Sequence, residues 1–300
     1  MAASGTFTLV RLSGEDLALT EAHEELVLPR KGAVEWDTLE PSRYEPEALR
    51  RAAELWEARA VQELASLALF TQLASQLHLL GAPLDWSGAF ARMIADETRH
   101  TDLCLRFCEA LGHPAAPRVD AETLHLAVTG SLRAHVRHTV VAAFCVGETL
   151  SGRMFRRALH HTTVPLARQV VAAIVVDETF HGELGWELGA LLMRPGAPDF
   201  SAERQALADA LPGMFRHYAR LCCAGGGPAW ARRAPEVDEG PNFGTLSDAG
   251  YARAFFDGLE QDVVPGLVAI GLPEAEAAYE ALARDLDAGD APSATPPLGG

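Results

Sequence analysis

A short motif that pairs a carboxylate with an imidazole occurs twice in the chain. The pattern Asp-Glu-Thr-x-His occupies residues 96–100 and returns at residues 177–181. On an α-helix, residues three positions apart lie on one face, so the acid and the histidine of each copy can bind one object. These pairs are Glu97 with His100, and Glu178 with His181. Carboxylate and imidazole donors side by side suit iron, manganese or zinc.

Two more glutamates repeat in a matching register, earlier in each half. Glu63 lies 34 residues before Glu97, and Glu148 lies 30 residues before Glu178. A serine follows each earlier glutamate after three residues and a phenylalanine after seven, namely Ser66 and Phe70, and Ser151 and Phe155. One copy alone would favour a surface acid beside a surface histidine. The repeat favours two copies of one metal-binding helix pair.

The surroundings of these glutamates indicate that they are buried. Residues one turn away from Glu63, Glu148 and Glu178 are largely apolar, and a buried carboxylate is very costly without a partner of opposite charge. Di-iron and di-manganese bundles use one Glu from each of two helices and one Glu-x-x-His from each of two others. We therefore predict that two divalent ions are bound by Glu63, Glu97, His100, Glu148, Glu178 and His181.

Four long segments are predicted to be the helices that position these residues: 46–80, 85–111, 120–161 and 163–194. Asp85 is expected to cap the second, and the third is expected to tolerate Gly130 and Gly147 in its interior. Such lengths far exceed the usual mean of about 11 to 12 residues. They predict an all-α fold with an antiparallel four-helix bundle across residues 46–194.

The rest of the chain is predicted to add to this bundle. Residues 1–45 are expected to form an N-terminal arm with one short strand near residues 6–12. Residues 195–290 are expected to supply C-terminal helices packed on the bundle, at about 199–224, 247–270 and 273–288. The tail, residues 291–300, is expected to be disordered.

Composition narrows the partners and the compartment. The formal net charge is −16, which disfavours binding to nucleic acid. No run of eighteen apolar residues and no secretory signal is present, so no membrane partner is expected. The five cysteines form no CxxC pair, as is typical of a reducing compartment. These features together predict a cytoplasmic protein.

Residues 46–194 resemble the non-haem di-iron carboxylate proteins of the ferritin-like superfamily. Residues 96–100 are similar to the (D/E)ExRH motif of the bacterial multicomponent monooxygenases, whereas the second copy has Phe180 where the family often has Arg. The resemblance implies that Glu97 and Glu178 bridge the metals and that Glu63 and Glu148 are terminal ligands. It also implies that Asp96 holds His181 and that Asp177 holds His100. Some amine-oxygenating relatives carry a further His ligand, and Ile174 occupies its position here.

The resemblance implies an O2-activating oxygenase or oxidase that hydroxylates, N-oxygenates or desaturates a small organic substrate. Its cofactor would be two Fe ions, or an Mn/Fe pair, with no catalytic residue beyond the ligands. Electrons would come from a separate reductase or ferredoxin, because no flavin, nicotinamide or cysteine-cluster motif is present. A ferroxidase of the ferritin type and a purely structural metal site are the alternatives. The long additions outside the bundle favour an enzyme, working as a monomer or homodimer.

Residues near the ligands are candidates for a substrate pocket: Phe70, Phe144, Gly152, Phe155 and Ile174. Gly152, Gly182 and Gly185 are expected to leave room near the metals. Plain core packing is the alternative for each of these residues. Arg137, three turns before Glu148, is expected to form a salt bridge rather than to hold a substrate carboxylate.

Overall fold

The computed structural model describes residues 5–10, 23, 25, 34–194 and 200–289. Over these residues the fold is all-α, as predicted, apart from one antiparallel ribbon of two short strands. Most of the predicted arm and the whole predicted tail at 291–300 lie outside the described residues. None of the described helices combines the length and apolar composition needed to cross a membrane.

The chain divides into two compact units. Unit one comprises Met1–Thr129 and Thr163–Asp177, and unit two comprises Gly130–Thr162 and Glu178–Gly300. The arrangement of the four long helices as one bundle stays a prediction.

Unit one is built on a helical hairpin. Helix α1 spans Pro46–Leu79 and helix α2 spans Leu84–Ala110, and the short connection makes them antiparallel neighbours. The expected cap Asp85 lies inside the first turn of α2, and Pro83 is at the cap position. Helix α1 ends where predicted, because Gly81 has φ of +76° and the amides of Gly81 and Ala82 bond the carbonyls of His78 and Leu77. That pattern closes a helix with a left-handed residue.

The core of unit one lies between α1 and α2. Trp56 is fully buried and meets the ring of Phe107 edge-on at 4.7 Å. Strand β1, Thr6–Thr8, pairs with β2, Arg118–Asp120. The predicted strand is therefore present but shorter than expected.

The third predicted helix begins later than expected, at Leu132 rather than near residue 120. Asp120 caps only a 3-10 turn, Ala121–Leu124. Gly130, with φ of +70°, stands outside the helix, and the Ser131 hydroxyl caps its first turn by accepting from the Ala134 amide at 3.1 Å. The Asp120 side chain therefore binds the backbone of a local turn instead of capping a long helix, so the helix begins later than predicted.

From Leu132 the chain stays helical to His161, but its winding changes twice. Helix α3, Leu132–Thr139, passes into a π-helical segment, Val140–Glu148, and then into helix α4, Thr149–His161. Thr139 and Thr149, at the two junctions, keep right-handed helical dihedral angles. Helix α5 then spans Pro165–Leu192, so its first part belongs to unit one and its second to unit two.

The remaining helices of unit two lie close to the predicted positions, except for the short helix Pro228–Arg233, which was not predicted. They are α6, Phe200–Cys222; α7, Pro228–Arg233; α8, Asp248–Gly258, continued by a π-helical turn, Leu259–Val263; α9, Val264–Ala269; and α10, Glu274–Ala288. Their buried side chains form one core cluster with the segment Val140–Leu150, including Leu211, Phe215, Phe255 and Leu267.

A group of ion pairs centred on Glu236 joins the loop before α8 to the helices around it. The Glu236 carboxylate accepts from Arg157 at 2.7 and 3.0 Å, from His161 at 3.0 Å and from Arg253. Hydrogen bonds from Arg157 first, and then from His161, hold the pKa of Glu236 down at about 2.

Candidate metal centre

The first cluster lies in unit one and joins helices α1 and α2. Glu63, Glu97 and His100 are 7%, 1% and 0% exposed. His100 Nδ1 lies 3.5 Å from Glu63 Oε2 and 3.8 Å from Glu97 Oε1. The spacing of three residues between Glu97 and His100 places both on one helix face, and Glu63 approaches them from the neighbouring helix.

The second cluster lies in unit two and has the same internal geometry. Glu148, at the end of the π-helical segment, is 7% exposed, and Glu178 and His181 on α5 are 2% and 0% exposed. His181 Nδ1 lies 3.4 Å from Glu148 Oε2 and 3.9 Å from Glu178 Oε1. In both clusters the same ring nitrogen faces the same two kinds of carboxylate, at distances that agree within 0.1 Å.

The donor atoms in each cluster fit a single cation. The three residues of each cluster can each offer one ligand atom, with all three atoms within 4.8 Å of one another. Two ligands about 2.1 Å from one ion lie about 3 to 4 Å apart for ordinary coordination angles. The Nδ1-to-oxygen distances fall in that range. Each cluster can therefore hold a metal ion.

The electrostatics of the first cluster also favour a cation. Burial, partly offset by the His100 hydrogen bond, raises the pKa of Glu63 to about 7. Burial by itself would lower the pKa of His100, yet its hydrogen bonds to Glu63 and Glu97 raise that pKa to about 10. His100 therefore keeps a proton at neutral pH between the two carboxylates. A bound metal ion would supply that positive charge and release the proton.

A further carboxylate orients the histidine of the first cluster. His100 Nε2 lies 3.2 Å from Asp177 Oδ2, on the ring edge opposite Nδ1. Arg99 in turn makes an ion pair with Asp177 and lies 3.3 Å from Asp96 Oδ1. A carboxylate on the far nitrogen fixes the tautomer and the direction of a metal-binding histidine. The reciprocal pairing of Asp96 with His181 stays a prediction.

The apolar pocket candidates are buried: Phe70, Phe144, Phe155 and Ile174 are between 0% and 7% exposed. Two of the glycines expected to leave room are instead packed closely. A Cβ at Gly185 would lie 2.7 Å from Phe144 Cβ, and one at Gly152 would lie 3.2 Å from Arg156 Nη1 and 3.7 Å from Glu178 Cβ. The expectation of open space was wrong at both positions. At Gly185 the missing side chain permits close packing of two helical segments, whereas at Gly152 the nearest atom belongs to Arg156 on the same helix. Gly182 has open space around it.

Arg137 forms the salt bridge that the sequence favoured. Its guanidinium pairs with Glu203, and its Nε donates to the Leu192 carbonyl at 2.9 Å. The guanidinium carbon also lies 5.4 Å from the centre of the Phe200 ring. The residue thus joins α3 to the C-terminal end of α5 and to the start of α6.

Four residues around the clusters were not singled out from the sequence as contributing to them. Arg99 forms an ion pair with Asp177, which lies 78 positions later in the chain. Near Glu148, Tyr218 donates a hydrogen bond to the Ala142 carbonyl and Trp186 donates one to the Thr149 hydroxyl. Gly147, which precedes Glu148, is packed against Tyr218. Only Arg99 had a local signal, since it lies inside the motif; the other contacts depend on tertiary structure.

Comparison with known proteins gives no relative. No protein-family model, no curated protein and no solved structure matches the chain.

Proposed function

We propose that the chain binds two iron ions and uses them to activate O2 for the oxidation of a small organic substrate. The proposed ligands are Glu63, Glu97 and His100 for one ion, and Glu148, Glu178 and His181 for the other. An Mn/Fe pair is the other composition that these donors accommodate.

The observation that carries this proposal is the duplication of one buried cluster. Two triads of Glu, Glu and His, each from two helical elements, reproduce the same Nδ1-to-carboxylate distances. Six buried polar groups in matching geometry are very unfavourable unless cations neutralise them. Two divalent ions carry +4, which balances four glutamates when both histidines are neutral.

The kind of donor supports a redox-active metal over a structural one. Structural zinc sites are closed tetrahedra rich in cysteine, whereas every cysteine in the described part of the chain lies outside both clusters. Carboxylates and imidazole suit Fe and Mn. When bound, the metal pair would supply the reduction of O2.

The protein itself would hold, orient and shield this pair. Asp177 would accept a hydrogen bond from His100 Nε2 and so keep Nδ1 directed at the metal, and Arg99 would hold Asp177 in place. Burial of both histidines would exclude bulk water from the reaction. Electrons would reach the site from a separate reductase or ferredoxin.

The size of unit two supports an enzyme rather than an iron store. Residues 200–289 form a substantial core of their own with the π-helical segment, which a minimal storage bundle does not need. A storage protein also requires many identical subunits around an enclosed volume.

Anaerobic titration with Fe(II), followed by metal analysis, tests the metal site. We expect about two equivalents bound to the wild type and most of that lost in Glu97→Ala. Glu109→Ala, at an exposed position on the same helix, is the matched control and should keep both ions. Unchanged metal content in Glu97→Ala, or a single ion in the wild type, would contradict the proposal.

Exposure of the loaded protein to O2 separates the three functions. An oxygenase or oxidase should consume O2 equivalent to its two ions and then stop until an electron donor is added. Continued oxidation of excess Fe(II) by a particle of about 24 subunits would identify a ferroxidase. Tight metal binding without any O2 consumption would identify a structural site.

A further inference from the structure

The second cluster depends on a helical irregularity that its counterpart in the first cluster does not have. Glu63 lies in the regular α-helix α1, whereas Glu148 is the last residue of the π-helical segment Val140–Glu148. In π winding, a carbonyl bonds the amide five residues ahead instead of four. One extra residue in a helix turns every later side chain by about 100°. The direction of Glu148 therefore depends on the winding of this segment.

The hydroxyl of Tyr218 binds the backbone of this segment. Tyr218 lies on α6, and its Oη donates a hydrogen bond to the Ala142 carbonyl at 2.9 Å. Burial, together with the negative charge of Glu148, raises the pKa of the Tyr218 hydroxyl well above its usual range. The hydroxyl therefore remains protonated and keeps its role as a donor.

Gly147 makes this approach of Tyr218 sterically possible. A Cβ at Gly147 would lie 2.5 Å from Tyr218 Oη and 3.3 Å from Tyr218 Cζ. Any larger residue would push the ring away from the helix. The glycine was expected to be a tolerated weak point, but its position next to Glu148 serves a close contact.

The residue on the other side of Glu148 is also held from outside the helix. Trp186 on α5 donates from Nε1 to Thr149 Oγ1 at 3.0 Å. The two chain neighbours of Glu148 are thus each in contact with a side chain of another helix. These contacts on both sides of Glu148 restrict the direction of its side chain, as supporting contacts do for metal ligands.

We infer that Tyr218 is a positioning residue for Glu148, because its hydrogen bond to Ala142 maintains the π winding that directs this carboxylate to its metal. The inference rests on the proposed function, since it assigns Glu148 to a metal ion. Glu63 has no such segment, so the effect is confined to the second cluster.

Tyr218→Phe tests the inference by two measurements. Hydrogen exchange on the protein without added metal should show faster exchange of the amides at residues 140–149. Anaerobic Fe(II) titration should show one of the two ions bound about 10- to 100-fold more weakly, the range typical of lost ligand support, with the other ion unchanged. Tyr279→Phe is the matched control, since Tyr279 is a partly buried tyrosine packed on the same core cluster.

Gly147→Ala displaces the tyrosine by a second route and should reproduce both effects. Alanine favours helix more than glycine does, so weaker helix propensity cannot explain a loss of metal. Gly213→Ala on α6, where an added Cβ has open space, should leave both measurements unchanged.

Unchanged exchange at residues 140–149 in both variants would overturn the inference. Faster exchange with both ions bound as tightly as in the wild type would overturn it as well. A wild type that binds no metal would refute the proposed function itself, and the titration of the wild type distinguishes that failure from the others.

Discussion

Replacing Glu236 by glutamine should destabilise the protein at pH 7 but much less in acid. Glutamine keeps the size of the side chain and removes the charge that Arg157, Arg253 and His161 share. The folded pKa of Glu236 is about 2, against an ordinary value of 4.5. At 1.36 kcal/mol per pKa unit, this shift corresponds to about 3.4 kcal/mol of stabilisation of the folded state. Because the side chain is 18% exposed, solvent screening reduces the expected loss to about 2 kcal/mol.

The dependence on pH follows from the direction of this shift. A carboxylate whose pKa is depressed on folding stabilises the protein above its unfolded pKa, and this contribution is lost as the pH falls towards its folded pKa. For values of 4.5 and 2, about two fifths of the contribution is lost by pH 3.5, and nearly all by pH 2. The difference in the free energy of unfolding between the wild type and Glu236→Gln should therefore become smaller as the pH falls.

Urea unfolding followed by circular dichroism at pH 7, 5 and 3.5 measures this difference in the free energy of unfolding. Protonation of the metal ligands affects both proteins equally, so it cancels in the difference. Glu280→Gln is the control, because Glu280 and Arg284 form a pair of exposed side chains at 3.6 Å and should contribute little at any pH. A gap at pH 7 below about 0.5 kcal/mol, or one that is equal at pH 7 and 3.5, would refute the reasoning.

Two further substitutions test packing and ligand orientation. Gly185→Ala places a Cβ 2.7 Å from Phe144 Cβ, so it should lower the free energy of unfolding by about 1 to 3 kcal/mol. Gly88→Ala, where the new Cβ meets nothing within 4 Å, should show no loss in the same urea experiment, and equal stability of the two variants would contradict the packing claim. Asp177→Asn keeps the shape of the side chain that holds His100 but removes its charge, so Fe(II) affinity measured by equilibrium dialysis should fall about 10- to 100-fold. Wild-type affinity in Asp177→Asn would show that Asp177 does not support the ligand.

Much of the candidate site was predictable from the sequence, because its geometry is local. The three-residue spacing of Glu97 and His100, and of Glu178 and His181, places each pair on one helix face whatever surrounds the helix. The burial of Glu63 and Glu148 followed from their apolar neighbours. The predicted ends of α1 and α2 lie directly before Gly81 and Gly112, whose positive φ values permit the left-handed turn that closes a helix.

The start of the third helix was predicted wrongly for a physical reason. Asp120 is a good cap, but it caps only the 3-10 turn that follows β2. The helix does not continue from this turn, because the turn ends at Leu124 and Gly130, with φ of +70°, lies outside the helix. Ser131 then became the effective cap.

By itself, the sequence determined which residues could bind metal and on which helix faces they lie, because these depend on residue type and helical period alone. Tertiary structure decided the rest. It decided that Asp177 and Arg99 support His100, and that Phe144 occupies the space next to Gly185. It also decided that the helix before Glu148 is wound in π form beneath Tyr218. These features arise from contacts between residues far apart in the chain, and no local pattern of the residues involved records which distant side chain will reach them.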